Sequence, residues 1–168
     1  MAALLRAGVA GHLEPVAGDK VAIIGAGPAG LAAAHDLALM GFRPVIFESE
    51  QVPGGMLALG VPAYRLPREV IRWEVSVIES LGVEIRYGMT IGKDFRFADL
   101  RRDYRAVILA TGAKNSRKLG LPGEHGPGVY GGVDLLRAVA MGEPFAIGRD
   151  VVVIGGGNVA YDVARTVL

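Results

Sequence analysis

The chain has 168 residues, of which 51% are apolar and none is cysteine. This length suits one ordinary domain with a buried core, and the lack of cysteine excludes disulfides and cysteine-ligated clusters within the chain. Eighteen basic and seventeen acidic residues leave a net charge of +1. Without basic blocks we expect no nucleic-acid partner. Without a long apolar run or a secretion signal we expect a soluble, cytoplasmic protein with no membrane partner.

Glycine is the compositional outlier, because 25 of the 168 residues are glycine, roughly twice the average usage of about 7%. Many of these glycines end apolar runs or helical patterns, which predicts tight turns between strands and helices. The predicted strands are Val21–Ile24, Pro44–Phe47, Val83–Tyr87, Ala106–Ala110 and Val151–Ile154. The predicted helices are Pro28–Met40, 68–81 and Val133–Met141, with a helical tail after residue 157. The stretch Gln51–Pro67 is predicted to be a long loop, and residues 1–19 a lead-in.

The first chemical signature follows the first predicted strand. It comprises Gly25, Ala26, Gly27, Pro28, Ala29 and Gly30. In this spacing the first glycine permits the tight turn, the second lets backbone amides approach a pyrophosphate, and the third allows a helix to pack closely on the strand. Glu48 ends the next strand, where a carboxylate can accept hydrogen bonds from ribose hydroxyls. The pattern predicts a dinucleotide site, although an ordinary strand-to-helix turn remains the alternative.

A second signature, Gly155-Gly156-Gly157-Asn158-Val159-Ala160, follows the last predicted strand. It fits the variant of the same fingerprint that ends in alanine, and so indicates a second dinucleotide. Two such fingerprints in one chain are typical of enzymes that bring a nicotinamide against a flavin. No further strand follows, so we expect the second domain to be incomplete, since a parallel strand needs a partner beside it.

Several segments together resemble the small-subunit family of glutamate synthase, which includes the flavin module of dihydropyrimidine dehydrogenase and NADPH-ferredoxin oxidoreductases. The resemblance covers residues 20–168. Its most specific part is the loop from Gly54 to Pro67, which contains the run Gly-Val-Pro-Ala-Tyr-Arg-Leu-Pro. The segments that carry it are Gly25–Leu31, Gly54–Leu57, Gly60–Pro67, Ala110–Ala113 and Gly155–Ala160.

The resemblance implies an α/β chain with a Rossmann-type FAD-binding portion at 20–125 and the start of a Rossmann-type NAD(P)H-binding domain at 126–168. It implies that FAD contacts Gly25 to Gly30, Glu48, Gly55, Met56, Arg65, Ile91, Thr111 and Gly112. It implies that NADPH or NADH contacts Gly156, Gly157, Asn158 and Val159, with Arg165 near it. No catalytic side chain and no metal ligand is assigned. From the residues alone, Arg65 and Arg165 could equally be surface groups and Ile91 a core residue.

The implied activity is hydride transfer from NAD(P)H to FAD, with electrons passed to an Fe–S cluster in a missing domain or a larger partner subunit. The cysteine-rich segment that usually precedes the first fingerprint in this family is absent. We therefore expect this chain alone to bind flavin poorly and not to turn over. Two alternatives stay open, namely an NAD-dependent dehydrogenase with a single dinucleotide and a catalytically silent scaffold subunit.

Overall fold

The computed structural model describes residues 18–168. The predictions made for residues 1–17, including most of the lead-in, lie outside the described residues. The described chain divides into two compact units, which are described separately. The first unit runs up to Gly55 and continues with Glu69–Gly112, and the second holds Met56–Arg68 and Ala113–Leu168. The predicted domain boundary at residues 125 and 126 stays a prediction.

The first unit is built on a four-stranded parallel sheet. Its strands are β1 (Lys20–Ile24), β2 (Arg43–Phe47), β3 (Glu84–Arg86) and β4 (Ala106–Leu109). They lie in the order β3-β2-β1-β4, and each neighbouring pair is parallel. Helix α1 (Pro28–Leu39) connects β1 to β2. The α/β class predicted from the sequence is confirmed.

Strand β1 lies at the centre of this sheet because its side chains are apolar on both faces. Ala22 and Ile23 are completely buried, and Ile46 of the neighbouring strand is also inaccessible to solvent. Continuous burial of this kind is expected where a parallel sheet is covered on both faces. The interior strand predicted at Val21–Ile24 is therefore confirmed, and it places the first glycine turn at the carboxyl edge of the sheet.

The second unit consists of helices and loops in the described chain. Its helices are α2 (Met56–Leu59), α5 (Gly132–Met141) and α6 (Asn158–Thr166). Helices α5 and α6 share a core formed by Leu135, Leu136 and Val163. Gly142 ends α5 in the left-handed conformation, with φ of 68°, which confirms the helix stop predicted there.

The remaining helices are α3 (Arg68–Ser80) and α4 (Phe97–Asp103). The first confirms the helix predicted at 68–81. The second was not predicted, because its seven residues are too short to show a clear helical period. Likewise, α2 interrupts the stretch 51–67, which the sequence predicted to be loop throughout.

The strand predicted at Val151–Ile154 is wrong for the described chain. These residues have no regular secondary structure, and Val152 and Ile154 are 87% and 74% exposed. A parallel strand requires hydrogen bonds from a neighbouring strand, and no strand of residues 18–168 pairs with this segment. The segment is apolar, as a buried strand requires, but within residues 18–168 it lacks the pairing that would make it a strand.

Every helix in the described part of the chain is too short or too polar to cross a lipid bilayer.

The buried centre of the sheet gives a stability prediction. Ile23→Ala should lower the free energy of unfolding by about 2–5 kcal/mol, since it removes three buried carbons and leaves a cavity. Leu109→Ala is the matched control, because Leu109 ends β4 at 64% exposure and its truncation should cost less than about 0.5 kcal/mol. Urea unfolding followed by circular dichroism measures both, and equal losses would contradict this account of the core.

Candidate functional site

The candidate site lies at the carboxyl edge of the parallel sheet, where the chain leaves three neighbouring strands. Gly25 follows β1, Glu48 follows β2 and Ala110 follows β4. Their backbones are joined across this edge, since the Gly25 amide donates to the Phe47 carbonyl at 2.8 Å and the Ala110 amide to the Ile24 carbonyl at 2.8 Å. Helix α1 connects β1 to β2, which lies on one side of β1, and β4 lies on the other side. The crevice between β1 and β4 is therefore a topological switch point, where open α/β sheets bind ligands.

Two glycines are required here because main chains approach each other closely. Gly25 has φ of 107°, and a Cβ on it would collide with the carbonyl oxygen of Ala110. A Cβ on Gly30 would collide with the carbonyl oxygen of Gly25 and would lie 3.3 Å from Cγ2 of Ile23. The first and third glycines of the fingerprint thus act as the sequence analysis proposed, in the turn and in helix packing.

The middle glycine has a different environment. A Cβ on Gly27 would meet only the Gly55 Cα, at 3.9 Å, so the fold itself tolerates a side chain there. Gly27 is the N-cap of α1 and provides no side-chain cap, and Pro28 and Ala29 beside it are exposed. The amides of the first helical turn, from Ala29 and Gly30, therefore have no intrahelical acceptor.

This helix end fits the diphosphate of a dinucleotide. Bare amides at a helix N-terminus attract an anion, and the helix dipole adds partial positive charge. No bulky side chain of the fingerprint covers the amides, because its residues are glycine, alanine and proline.

A second glycine pair packs against the fingerprint from the following loop. The Gly54 amide donates to the Ala26 carbonyl at 2.8 Å. A Cβ on Gly55, which has φ of 52°, would lie 2.8 Å from the Gly27 Cα. Contact of Gly55 with the cofactor, which the family resemblance implies, stays a prediction. The structure shows that Gly55 also lets two turns lie in direct backbone contact.

Glu48 is 3% exposed, and its carboxylate organises the surrounding backbone. Its Oε2 accepts a hydrogen bond from the Ala26 amide at 2.7 Å, and its Oε1 accepts one from the Glu50 amide at 2.8 Å. The hydroxyl of Ser49 donates to Oε1 at 3.1 Å. Ribose binding by Glu48 stays a prediction, and the structure adds a role in holding the glycine turn that the sequence analysis missed.

The other residues assigned to the flavin lie in varied surroundings. Thr111 and Gly112 follow β4 at the same sheet edge and are exposed, with φ of 69° at Gly112. Ile91 packs against the core cluster that contains Phe47 and Leu100, as expected if Ile91 is a core residue. Met56 begins α2 in the second unit. Cofactor contact stays a prediction for all of these residues.

The second fingerprint shares one feature with the first, a helix N-terminus without a side-chain cap. Gly155 has φ of 136°, and Cβ atoms on Gly156 or Gly157 would meet open space. Gly157 is the N-cap of the nine-residue α6 and supplies no side-chain cap, so the first-turn amides of Asn158 and Val159 have no intrahelical acceptor. This end can also receive an anionic group, and contact with a nicotinamide dinucleotide stays a prediction.

Arg65 lies in a polar cluster that the sequence analysis did not foresee. Its Nε is 2.6 Å from Oδ1 of Asp162 on α6, and the hydroxyl of Tyr64 donates to the same oxygen at 2.9 Å. The guanidinium of Arg165 lies over the Tyr64 ring, 4.2 Å from its centroid. A hydrogen bond to Tyr64, and then the negative charge of Asp162, raise the pKa of Arg65 above its ordinary value.

No local signal in the sequence identifies Asp162 as a buried group. It precedes the core residue Val163, but successive residues of a helix do not face the same side, so this position does not predict burial. Its partners in the loop lie 97 and 98 residues earlier in the sequence and carry no local signal either.

The environments of the glycines predict two separable effects. Gly30→Ala should lower the free energy of unfolding by about 1–3 kcal/mol, because the new Cβ has no room against the Gly25 carbonyl. Gly27→Ala should keep the wild-type free energy of unfolding within about 0.5 kcal/mol, while its methyl group reduces access of a diphosphate to the helix end. Denaturant unfolding and titration with an adenine dinucleotide separate the two, and equal unfolding curves for both variants would refute this assignment.

Glu48 gives a further prediction. Glu48→Gln should cost about 1–3 kcal/mol, since a glutamine offers an acceptor to only one of the two backbone amides and turns a donor toward the other. The control is Glu84→Gln, because Glu84 lies at the surface, 52% exposed in a pair with Arg86, and its loss should cost about 0–1 kcal/mol. Thermal and urea unfolding of the two variants provide the comparison, and no difference between them would count against a structural role for Glu48.

Two known proteins are similar in sequence to most of this chain. The NADP(+)-dependent formate dehydrogenase subunit beta of Moorella thermoacetica is 48% identical over 96% of this chain and 24% of its own length. The glutamate synthase [NADPH] small chain of Escherichia coli K12 is 41% identical over 89% of this chain and 34% of its own. The chain thus spans about a quarter to a third of these relatives, and the resemblance to the glutamate synthase small-subunit family is confirmed.

A solved structure of 2-naphthoyl-CoA reductase in complex with 2-naphthoyl-CoA superposes with a TM-score of 0.73 at 28% identity, covering 95% of this chain and 23% of that one. The family model for pyridine nucleotide-disulphide oxidoreductases matches residues 19–168, which include both glycine fingerprints. The chain therefore belongs to the pyridine nucleotide-disulphide oxidoreductase family.

Proposed function

We propose that this chain is part of an FAD-dependent NAD(P)H oxidoreductase of the glutamate synthase small-subunit type. The observation that carries the proposal is that each of the two glycine fingerprints leads into a helix N-terminus without a side-chain cap, α1 after Gly27 and α6 after Gly157. Each offers bare amides and a positive dipole end to a diphosphate. Two such ends in one chain accommodate two dinucleotides.

The first end is assigned to FAD. Gly27 leaves room for the diphosphate, while Glu48 holds the turn through the Ala26 amide. The rest of the proposed flavin site comprises the other fingerprint residues together with Gly55, Met56, Arg65, Ile91, Thr111 and Gly112. The family membership supports this assignment, because the family model extends over the whole segment.

The second end is assigned to NADPH or NADH, held by Gly156, Gly157, Asn158 and Val159. The names of the two relatives, one NADP(+)-dependent and one marked NADPH, support a nicotinamide dinucleotide. Bound FAD would supply the redox chemistry, accepting a hydride from the nicotinamide and releasing single electrons. The residues of this chain would bind and orient the two dinucleotides.

An Fe–S domain or a larger partner subunit is the proposed electron acceptor. The described residues contain no cysteine and no cluster of three or more potential metal ligands, so the acceptor would lie outside them. Both relatives are named as a subunit or a small chain, which supports assembly with a larger partner. We propose FAD binding within residues 20–125 and the nicotinamide domain from residue 126.

The test uses the intact protein in which this chain occurs, purified and reconstituted with FAD. We expect a yellow protein that oxidises NADPH or NADH with ferricyanide as artificial acceptor, and a lower affinity for FAD in the Gly27→Ala variant. The absorbance spectrum, the flavin released on denaturation and the rate of nicotinamide oxidation measure these outcomes. Protein that stays free of flavin after reconstitution would refute the proposal.

A further inference from the structure

The loop Gly60–Pro67, hereafter the anchor loop, is attached to α6 by one buried carboxylate. Asp162 is 6% exposed. Its Oδ1 accepts a hydrogen bond from the Tyr64 hydroxyl at 2.9 Å and forms an ion pair with the Arg65 Nε at 2.6 Å. These partners lie 98 and 97 residues from Asp162 in the sequence. All three residues belong to the second unit, so the attachment is a feature of that unit alone.

The place of Asp162 on α6 connects the anchor loop with the second fingerprint. Asp162 is the fifth residue of α6, which begins immediately after the N-cap Gly157, so it lies about one turn from the first-turn amides. Arg165 lies on the same helix, and its guanidinium stacks on the Tyr64 ring at 4.2 Å from the centroid. The anchor loop therefore contacts α6 at two points, one ionic and one aromatic.

The loop also has an internal clasp that is independent of α6. Arg68 donates to the carbonyl of Leu57 at 2.9 Å and to that of Val61 at 2.8 Å. These two bonds join the Arg68 side chain, just after the loop, to one carbonyl before the loop and one at its start, and so keep the ends of the loop together. They do not reach α6, so they cannot fix the position of the loop on that helix.

The energetic balance makes Asp162 the important member of the cluster. A buried carboxylate that loses its donors is costly, because it has been removed from water. Tyr64 and the Arg65 side chain are 45% and 47% exposed, so both can return to solvent when the carboxylate is absent. Loss of the charge at Asp162 should therefore release the anchor loop without loss of the core around Val163.

We propose that Asp162 is a positioning residue that holds the anchor loop on the helix following the second fingerprint, so that the position of this loop and the binding of a nicotinamide dinucleotide at that helix depend on each other. This inference rests on the proposed function. Coupling between two events on one helix is reciprocal, so a dinucleotide that favours the anchored loop must bind more weakly when the loop is released, by the same factor.

The experiment measures tryptic cleavage of the Arg65–Leu66 bond in the intact, folded protein by mass spectrometry, with cleavage after the exposed Lys118 as internal reference. Asp162→Asn and Tyr64→Phe both keep this cleavage site. The matched control is Asp150→Asn, an exposed aspartate of the same unit. We expect cleavage after Arg65 to rise about tenfold in Asp162→Asn, less in Tyr64→Phe and not in the control.

The same proteins are then titrated with NADPH. Saturating NADPH should slow cleavage after Arg65 in the wild-type protein, and Asp162→Asn should weaken NADPH binding by about fivefold or more in preparations matched for flavin content. A purely structural role for Asp162 would alter cleavage without this selective loss of nicotinamide affinity. Tyr64→Phe leaves the buried carboxylate in place and provides a test if Asp162→Asn fails to fold.

The inference would be overturned if Asp162→Asn and Asp150→Asn showed the same cleavage and the same NADPH affinity. Normal NADPH binding by the wild-type protein would then leave the proposed function intact. Absence of NADPH binding in the flavin-loaded wild-type protein would instead refute the nicotinamide assignment, and the coupling with it.

Discussion

The candidate site depends on the close contact between the main chain of the first glycine turn and its neighbours. Gly25 lies against the Ala110 carbonyl, and Gly30 lies against the carbonyl of Gly25 itself. These contacts bring the start of α1 onto the edge of the sheet, so its first amides face the crevice between β1 and β4. A side chain at Gly25 would push the turn away from the end of β4, and one at Gly30 would push α1 away from the turn. The geometry of the candidate site and the packing of the fold therefore have the same cause.

Around this contact, buried polar groups maintain the turns that the glycines permit. Glu48 accepts hydrogen bonds from two backbone amides, one in the fingerprint and one after β2. In the second unit, Asp162 has a corresponding role, because it joins two side chains of the anchor loop to α6. In both cases the carboxylate is at most 6% exposed and accepts hydrogen bonds from at least two donors, because a buried charge without partners is costly. Each arranges a loop beside a helix end suited to an anion.

The two fingerprints differ in how the chain supports them. The first follows β1, which pairs with β2 on one side and with β4 on the other and whose apolar side chains are buried. The second follows Val151–Ile154, which is largely exposed and pairs with no strand among residues 18–168. The core of α5 and α6, around Leu135, Leu136 and Val163, supports the second turn instead. The same local pattern therefore occurs in two different structural settings.

The sequence by itself determined the local features. Apolar runs predicted the strands at residues 21 and 44, and a helical pattern ended by glycine predicted the helix at 28, because strand and helix periods and glycine turns are local properties. The spacing of Gly25, Gly27 and Gly30 indicated a dinucleotide fold for the same reason. Only the tertiary structure decided whether Val151–Ile154 found a strand partner, that Glu48 binds the Ala26 amide, and that Asp162 meets Tyr64 and Arg65. These outcomes depend on groups far apart in the sequence, whose contact is set by packing rather than by local pattern.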